Sequence, residues 1–256
     1  MPRLDVAKQF VELARLSRTQ SELARLLEDA SIEIGCRYFA LVHHVDLRRA
    51  SPDIIRLDNY PASWASHFVE NVLYAEDPIH RACLTSNVGF TWVDVPKIIA
   101  VTGQQRSILE NAAKHGLGDG YTVPVHIPGE RSGSCSFATR HGRSLPEANL
   151  LLAQLIGAFA FQAARNLNRH GSVLPQIPLR LTPRQRDCLL LAIQGKTDWE
   201  IGRILDLSEE TVSQHLDMAR ERYGVTKRLP LAVRAIFDGQ VSFIEALSGQ
   251  FPRKGE

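Results

Sequence analysis

Residues 181–224, LTPRQRDCLLLAIQGKTDWEIGRILDLSEETVSQHLDMARERYG, set the tightest limits on what this chain can fold into. The stretch carries start and stop signals for three helices in quick succession. Thr182 is followed by Pro183 and, three residues on, by Gln185, the spacing of a capping box with proline at the first helical position. Gly195 closes that helix, Thr197 with Glu200 opens a second, Ser208 opens a third, and Gly224 ends it. Two short helices joined by Asp206-Leu207-Ser208 predict a helix-turn-helix. On the third helix Val212, Leu216, Ala219 and Tyr223 share one face and must pack inward. Ser213, Gln214 and Asp217 then point outward, and in a DNA major groove they would meet base edges. Gln214 suits adenine, and Asp217 can accept from the cytosine amino group. Lys196, Thr211, Lys227 and Arg228 fall at helix ends or turns, where phosphate contacts are usual. A three-helix bundle with a solvated outer face is the competing reading. From residue 176 onward 12 Lys+Arg stand against 11 Asp+Glu, a net of +1. Affinity resting on phosphate neutralisation is therefore expected to be modest.

Upstream of this segment the chain changes character. RHGSVLPQIPLR, residues 169–180, has two prolines and a glycine but no apolar period, and reads as a linker between a domain at 1–168 and one at 181–256. In the first domain LDVAKQFVELARL and SELARLLEDASIEIG have helical spacing, with Ser21 as the expected N-cap of the second. CRYFALVHHV reads as a strand and DIIRLDNY as its hairpin partner. A helix is expected from Pro61 to about Leu73, a strand at GFTWVDV, and a helix at TGQQRSILENAAKHG. HGLGDGYTVPVHIPG and SGSCSFATR form a glycine-bounded strand pair, and LPEANLLLAQLIGAFAFQAARNLN one long helix. The expected fold class is α+β: an N-terminal α/β/α sandwich around an antiparallel sheet, then an all-α helix-turn-helix domain.

The 256 residues carry a net charge of only +2, which neither requires nor excludes an anionic partner. The most apolar run, residues 150–164, would span roughly 22 Å as a helix, short of the ~30 Å hydrocarbon core. It reads as a buried helix, and no membrane association is expected. The charged N-terminus does not read as a signal peptide. Cys36, Cys83, Cys135 and Cys188 are scattered without a Cys-x-x-Cys, so disulfides and zinc are not expected. His43 and His44 alternate on a strand and cannot chelate one ion together. No nucleophile–base pair, phosphate loop or metal spacing is visible, so neither an enzyme nor a cofactor is expected.

One passage is unusual: NYPASWASHFVENVLYAEDPIH, residues 59–80, concentrates Tyr60, Trp64, Phe68 and Tyr74 ahead of Asp77-Pro78. Phe68 lies one helical turn from Trp64. Rings at this spacing can be core, and an acid before proline can be a helix or turn cap. On the strand SGSCSFATR, Ser132, Ser134 and Ser136 alternate onto one face.

Taken together these segments resemble a known family. LTPRQRDCLLLAIQGKTDWEIGRILDLSEETVSQHL…YGVTKR…AV is similar to the C-terminal DNA-binding domain of LuxR-type transcription factors. Tyr60, Trp64, Asp77-Pro78, Trp92, Gly116, TVP at 122–124 and the serine-rich strand fall at the spacing of the autoinducer-binding domain of its quorum-sensing branch. Two departures stand out. Phe68 replaces the usual tyrosine, removing a hydroxyl from the pocket, and Gln185 replaces the usual glutamate.

The resemblance implies a cytoplasmic, ligand-responsive transcription factor. It would bind an N-acyl-homoserine lactone as a homodimer, read palindromic double-stranded DNA and work with RNA polymerase. It assigns the lactone carbonyl to the Trp64 indole N–H, the ligand amide N–H to Asp77 and the amide carbonyl to Tyr60. Trp92 would form a wall against the lactone ring, Phe68 would flank the ligand, and Ser136, with Ser134 beside it, would supply a pocket hydroxyl. A regulator of the same build answering another small molecule, or none, is the alternative. A response-regulator output domain would need a receiver pattern of clustered acids that the sequence lacks.

Overall fold

The computed structural model describes residues 3–48, 54–127, 130–169 and 180–248. The chain divides into two compact units, Met1–Ser172 and Val173–Glu256. The expected linker at 169–180 lies, but for its two end residues, outside the described residues.

The first unit opens with α1 (Arg3–Leu16) and α2 (Gln20–Ile34). The N-cap of α2 is Thr19, not Ser21. Thr19 Oγ1 accepts the Glu22 N–H at 3.2 Å, and the Glu22 carboxylate takes the Arg18 N–H at 2.8 Å. That pairing fixes the start two residues earlier and leaves Ser21 inside the helix.

Strands β1 (Tyr38–His43) and β2 (Arg56–Asp58) pair antiparallel, as the hairpin reading requires. Helix α3 (Ala62–Glu70) stops short of Leu73 because Val72 takes a left-handed conformation at φ 57°. This is costly for a β-branched residue, of order 1–3 kcal/mol. The chain then passes through a single 3₁₀ turn into α4 (Pro78–Cys83). GFTWVDV is a strand only over β3 (Phe90–Thr91), after which it coils through Trp92–Asp94 into α5 (Val95–Ile98). Helix α6 (Gly103–Lys114) begins at a Thr102–Gln105 capping box. β4 (Leu117–Val125), β5 (Gly133–Arg140) and α7 (Leu150–Arg169) complete the unit.

The sheet runs β2-β1-β5-β4-β3, every neighbour antiparallel. Strand alternation divides its two faces. Phe39, Leu41, Val123, Cys135 and Phe137 face α1, α2 and α7, where with Leu23, Leu27, Ile156 and Phe161 they form the main core. Each fully buried large side chain contributes roughly 1.5–3 kcal/mol. Ala40, Val42, Thr122, Ser136 and Ala138 face the opposite side, under α3, α4 and α6. The sandwich expected from the sequence is therefore present.

With its preceding turn, α7 forms a 22-residue helix (Glu147–Asn168), the one long helix expected there, that by length and composition alone could cross a membrane. Half of it is buried within the protein, with Ala153, Ile156, Ala160, Phe161 and Ala164 against the sheet and first helices, as a core helix requires.

The second unit holds α8 (Pro183–Ile193), α9 (Asp198–Leu205), α10 (Glu209–Arg222), α11 (Arg228–Phe237) and α12 (Phe243–Leu247). Capping boxes stand at Thr182–Gln185 and Thr197–Glu200, and Ser208 caps α10. Gly195 and Gly224 carry the positive φ of helix ends, 88° and 59°. Val212, Leu216, Ala219 and Tyr223 join Cys188, Leu189, Ile201, Leu231 and Ala235 in one core. The α9–α10 pair is a helix-turn-helix, its turn closed by a 2.8 Å bond from Leu207 N–H to Gly202 C=O.

Candidate ligand cavity and nucleic-acid interface

Between the sheet's second face and α3, α4 and α6 lies a cavity of about 90 Å³. Six of the seven expected ligand-binding residues line it: Tyr60, Trp64, Phe68, Asp77, Trp92 and Ser136. Ser134 does not. It is buried, and its hydroxyl is tied to His44 Nε2 at 2.9 Å. Ser134 shares a face with Ser136, but its place two residues along the strand puts it against α4 instead.

The rings pack on one another as well as on the cavity. The Trp64 and Phe68 centroids are 5.5 Å apart, and Phe68 stands edge-on to Tyr74 at 6.4 Å and to His80 at 6.1 Å. Tyr74 is turned away, its hydroxyl donating to Asp46. The Trp64 indole N–H has no hydrogen-bond partner among the described residues, although the residue is only 5% exposed.

Asp77 performs the capping role the sequence allowed. Its Oδ1 caps α4 by accepting the Ile79 N–H at 2.9 Å. Its Oδ2 lies 3.5 Å from His80 Nε2. The carboxylate is buried, and proline at the first helical position holds it in place.

A hydroxyl relay crosses the floor of the cavity. Trp92 Nε1–H donates to Thr122 Oγ1 at 2.9 Å, and Thr122 Oγ1 lies 2.8 Å from Ser136 Oγ, its cross-strand partner. Ser136 and the Tyr60 phenol both line the cavity. Burial, with Asp58 and Asp77 nearby, pushes that phenol up, so Tyr60 stays a neutral donor. Thr122 was not singled out by the sequence analysis, although TVP contains it; its partner became identifiable only with the β4–β5 register. Beside the cavity His44 stacks on His80, centroids 3.9 Å apart. Burial, then His80, His126 and His43, hold the His44 imidazole well below its usual range and so neutral. The two strand histidines face opposite ways as expected: the His43 ring meets Phe161 on α7. Largely apolar walls, the Asp58 and Asp77 carboxylates and a few fixed donors can hold a small molecule with a polar head and an apolar tail.

On the helix-turn-helix, Gln214 and Asp217 are exposed on α10, and Lys196 and Lys227 are exposed at helix ends. Several of the expected contacts are also engaged within the protein. Ser213 is half-buried, its hydroxyl donating to Asp198 Oδ2 at 2.7 Å. Arg228 grips the same carboxylate with both arms, at 2.7 and 2.5 Å. Arg228 first, and Ser213 after it, hold the Asp198 carboxyl below its usual range. Asp217 pairs with Arg220, Thr211 Oγ1 sits 2.8 Å from Ser208 Oγ, and Lys196 lies 3.9 Å from Glu200. Of the trio expected to point outward, Gln214 and Asp217 do so, and Ser213 is turned to Asp198. Ser213 is claimed by an acid fifteen residues earlier, which periodicity on α10 does not reveal.

A cavity-bearing sandwich joined to a helix-turn-helix defines a ligand-responsive DNA-binding regulator, and comparison with known proteins agrees. Residues 19–164 match the autoinducer binding domain, and residues 179–235 match the bacterial regulatory proteins of the luxR family. The chain is 29% identical over 227 residues to the transcriptional activator protein VanR of Vibrio anguillarum, covering 88% of this chain and 92% of VanR. It is 30% identical over 190 residues to the quorum sensing-dependent regulator RpaR of Rhodopseudomonas palustris, covering 74% and 76%. Its fold is similar to that of Escherichia coli SdiA, with a TM-score of 0.59 at 23% identity over 93% of this chain and 99% of that one. SdiA has also been solved in complex with octanoyl-rac-glycerol (TM-score 0.58, 23% identity, 93% and 96%). The chain belongs to the LuxR family of autoinducer-binding transcriptional regulators, which are DNA-binding proteins and not enzymes.

Proposed function

We propose that this regulator binds an N-acyl-homoserine lactone in the cavity and, as a homodimer, reads palindromic DNA to control quorum-sensing genes. The observation that carries the reading is the pairing of a free donor with a buried acceptor. Trp64 and Asp77 line one cavity whose walls are otherwise largely apolar. A lactone carbonyl needs a donor, and an amide N–H needs an acceptor that cannot itself donate. Ionised Asp77 is such an acceptor, and Tyr60 offers the ligand's second carbonyl a hydroxyl. An unmatched polar atom there would cost roughly 1–3 kcal/mol.

The chamber, at about 90 Å³, is smaller than the ~150 Å³ that holds a benzene. Admitting a whole ligand therefore requires α3, α4 and α6 to give way, which couples ligand uptake to the packing of this unit. In the cytoplasm the occupied protein would dimerise, bind double-stranded DNA and engage RNA polymerase.

Phe68 favours a second reading, in which the ligand is another amphiphile with a polar head and an acyl tail, as octanoyl-rac-glycerol is for SdiA. Mass spectrometry of extracts from protein purified with a panel of acyl-homoserine lactones and acylglycerols decides between them. Retention of one lactone near one per chain supports the first reading. A folded dimer that retains only an acylglycerol supports the second.

Asp77→Asn separates the acid's two roles. Asparagine still caps a helix, but its amide presents N–H to the ligand N–H. Lactone retention is expected to fall by at least tenfold with far-UV circular dichroism unchanged. Undiminished retention would remove Asp77 from the site.

A further inference from the structure

Asp198 has no obvious local duty. The N-terminus of α9 is already satisfied by Thr197, whose hydroxyl accepts the Glu200 N–H at 3.3 Å while the Glu200 carboxylate takes the Thr197 N–H at 2.8 Å. Asp198, at the first helical position, spends its oxygens across the fold instead. Arg228, from the start of α11, and Ser213, from the recognition helix α10, both converge on it. The Asp198 side chain is 11% exposed and that of Arg228 48%, and the contact between them is bidentate. These features separate it from the looser Lys196–Glu200 contact at 3.9 Å, whose side chains are 43% and 39% exposed. Exposed pairs of that kind break readily when a phosphate competes. A bidentate pair whose carboxylate is sheltered and holds a third hydrogen bond resists.

Arg228 and Ser213 are among the groups that a docked duplex would otherwise recruit. Asp198 also places a carboxylate where DNA brings negative charge. We propose that Asp198 sets the affinity of this helix-turn-helix for DNA by holding Arg228 away from the phosphate backbone, with Ser213 bracing the same carboxylate. The device weakens sequence-independent binding most, because that binding rests on phosphate neutralisation. Base contacts made by Gln214 are untouched, so the ratio of specific to nonspecific affinity rises. The inference rests on the DNA-binding class of the family and stands whether or not the cavity holds a lactone.

The test uses the full-length chain and a fluorescently labelled 30-base-pair duplex of arbitrary sequence, titrated at several salt concentrations. Asp198→Asn retains size and removes the charge. It is expected to tighten duplex binding roughly three- to tenfold at ~0.1 M salt and to steepen the slope of log K against log salt by about 0.9, one further phosphate contact. Arg228→Ala is then expected to cost several-fold more in the Asp198→Asn background than in the wild-type chain. Asp198→Ser, also uncharged, gives the same reading should the asparagine variant fail to fold. The proposal is overturned if the uncharged variants bind no more tightly. It is equally overturned if they bind more weakly, which would mean that Asp198 presents Arg228 to the phosphate. An equal Arg228→Ala cost in both backgrounds also refutes it.

Discussion

At the scale of single residues, the cavity depends on one missing side chain. Gly120 lies on β4 with the Trp92 indole laid across it, and a Cβ there would sit 2.2 Å from the ring. Trp92 is thus positioned by a space on the strand and by the hydrogen bond from its N–H to Thr122. Gly120→Ala is expected to push the indole off the sheet, breaking the relay to Thr122 and Ser136. Overpacking of this kind costs ~1–3 kcal/mol, and ligand retention should fall with it. Urea unfolding and tryptophan fluorescence measure both effects, and an unshifted midpoint with unchanged emission would mean the indole has room to spare. Much at this scale was legible from the chain. Rings at helical spacing, an acid before proline and alternating serines are local patterns. Thr122, Gly120 and the diversion of Ser134 to His44 were not, because each depends on which residue of another strand or helix lies opposite.

Among the elements, the capping boxes of the second unit were legible, the cap of α2 was placed two residues too late, and short strands were not legible. The boxes at Thr182 and Thr197 are complete within four residues, so their signal survives without the fold. Ser242–Glu245 shows the same spacing and starts α12, which the sequence analysis overlooked. β3 is only two residues long because pairing with Thr122 and Tyr121, a tertiary event, decides its extent. The seating of α4 is likewise tertiary: the His80 ring on α4 stacks on His44 at the end of β1. This contact has a pH consequence. The neutral, half-buried His44 has a folded pKa below its unfolded value near 6.5. The unfolded chain therefore binds the extra proton first as pH falls. His44 neutrality contributes stability above about pH 6.5, and that contribution is lost progressively below it, at up to about 1.4 kcal/mol per pH unit. His44→Gln should flatten the stability profile between pH 6.5 and 5 in denaturant titrations of the whole chain. Parallel wild-type and variant profiles would show that other groups carry the acid sensitivity.

For the whole molecule, each unit presents an apolar stripe that its own core does not use. On α11 Leu229, Val233 and Phe237 recur every four residues and are 74%, 59% and 54% exposed, with Phe243 and Ile244 of α12 also exposed. On α7 Leu151, Leu155 and Phe159 repeat the pattern at 82%, 39% and 39%. Stripes of this kind mark interaction surfaces, and a second copy of the chain suits both, since two-fold contacts are self-complementary. Ligand and partner would then stabilise the fold through separate linkages that calorimetry can resolve. A ligand confined to the cavity adds RT ln(1 + [L]/Kd), about 2.7 kcal/mol at 100-fold saturation. At fixed saturation this contribution does not depend on protein concentration. Dimerisation raises the melting temperature as protein concentration rises, with or without ligand. Scans of the full-length protein at two concentrations a hundredfold apart, each with and without a retained lactone, give four midpoints. A ligand shift of similar size at both concentrations means that the cavity is complete within one chain and only the stripes join the copies. A ligand shift that grows with protein concentration means that filling the cavity strengthens the dimer, the linkage a ligand-responsive regulator needs. Midpoints independent of concentration in all four scans would rule out the proposed dimer and leave the stripes to another partner.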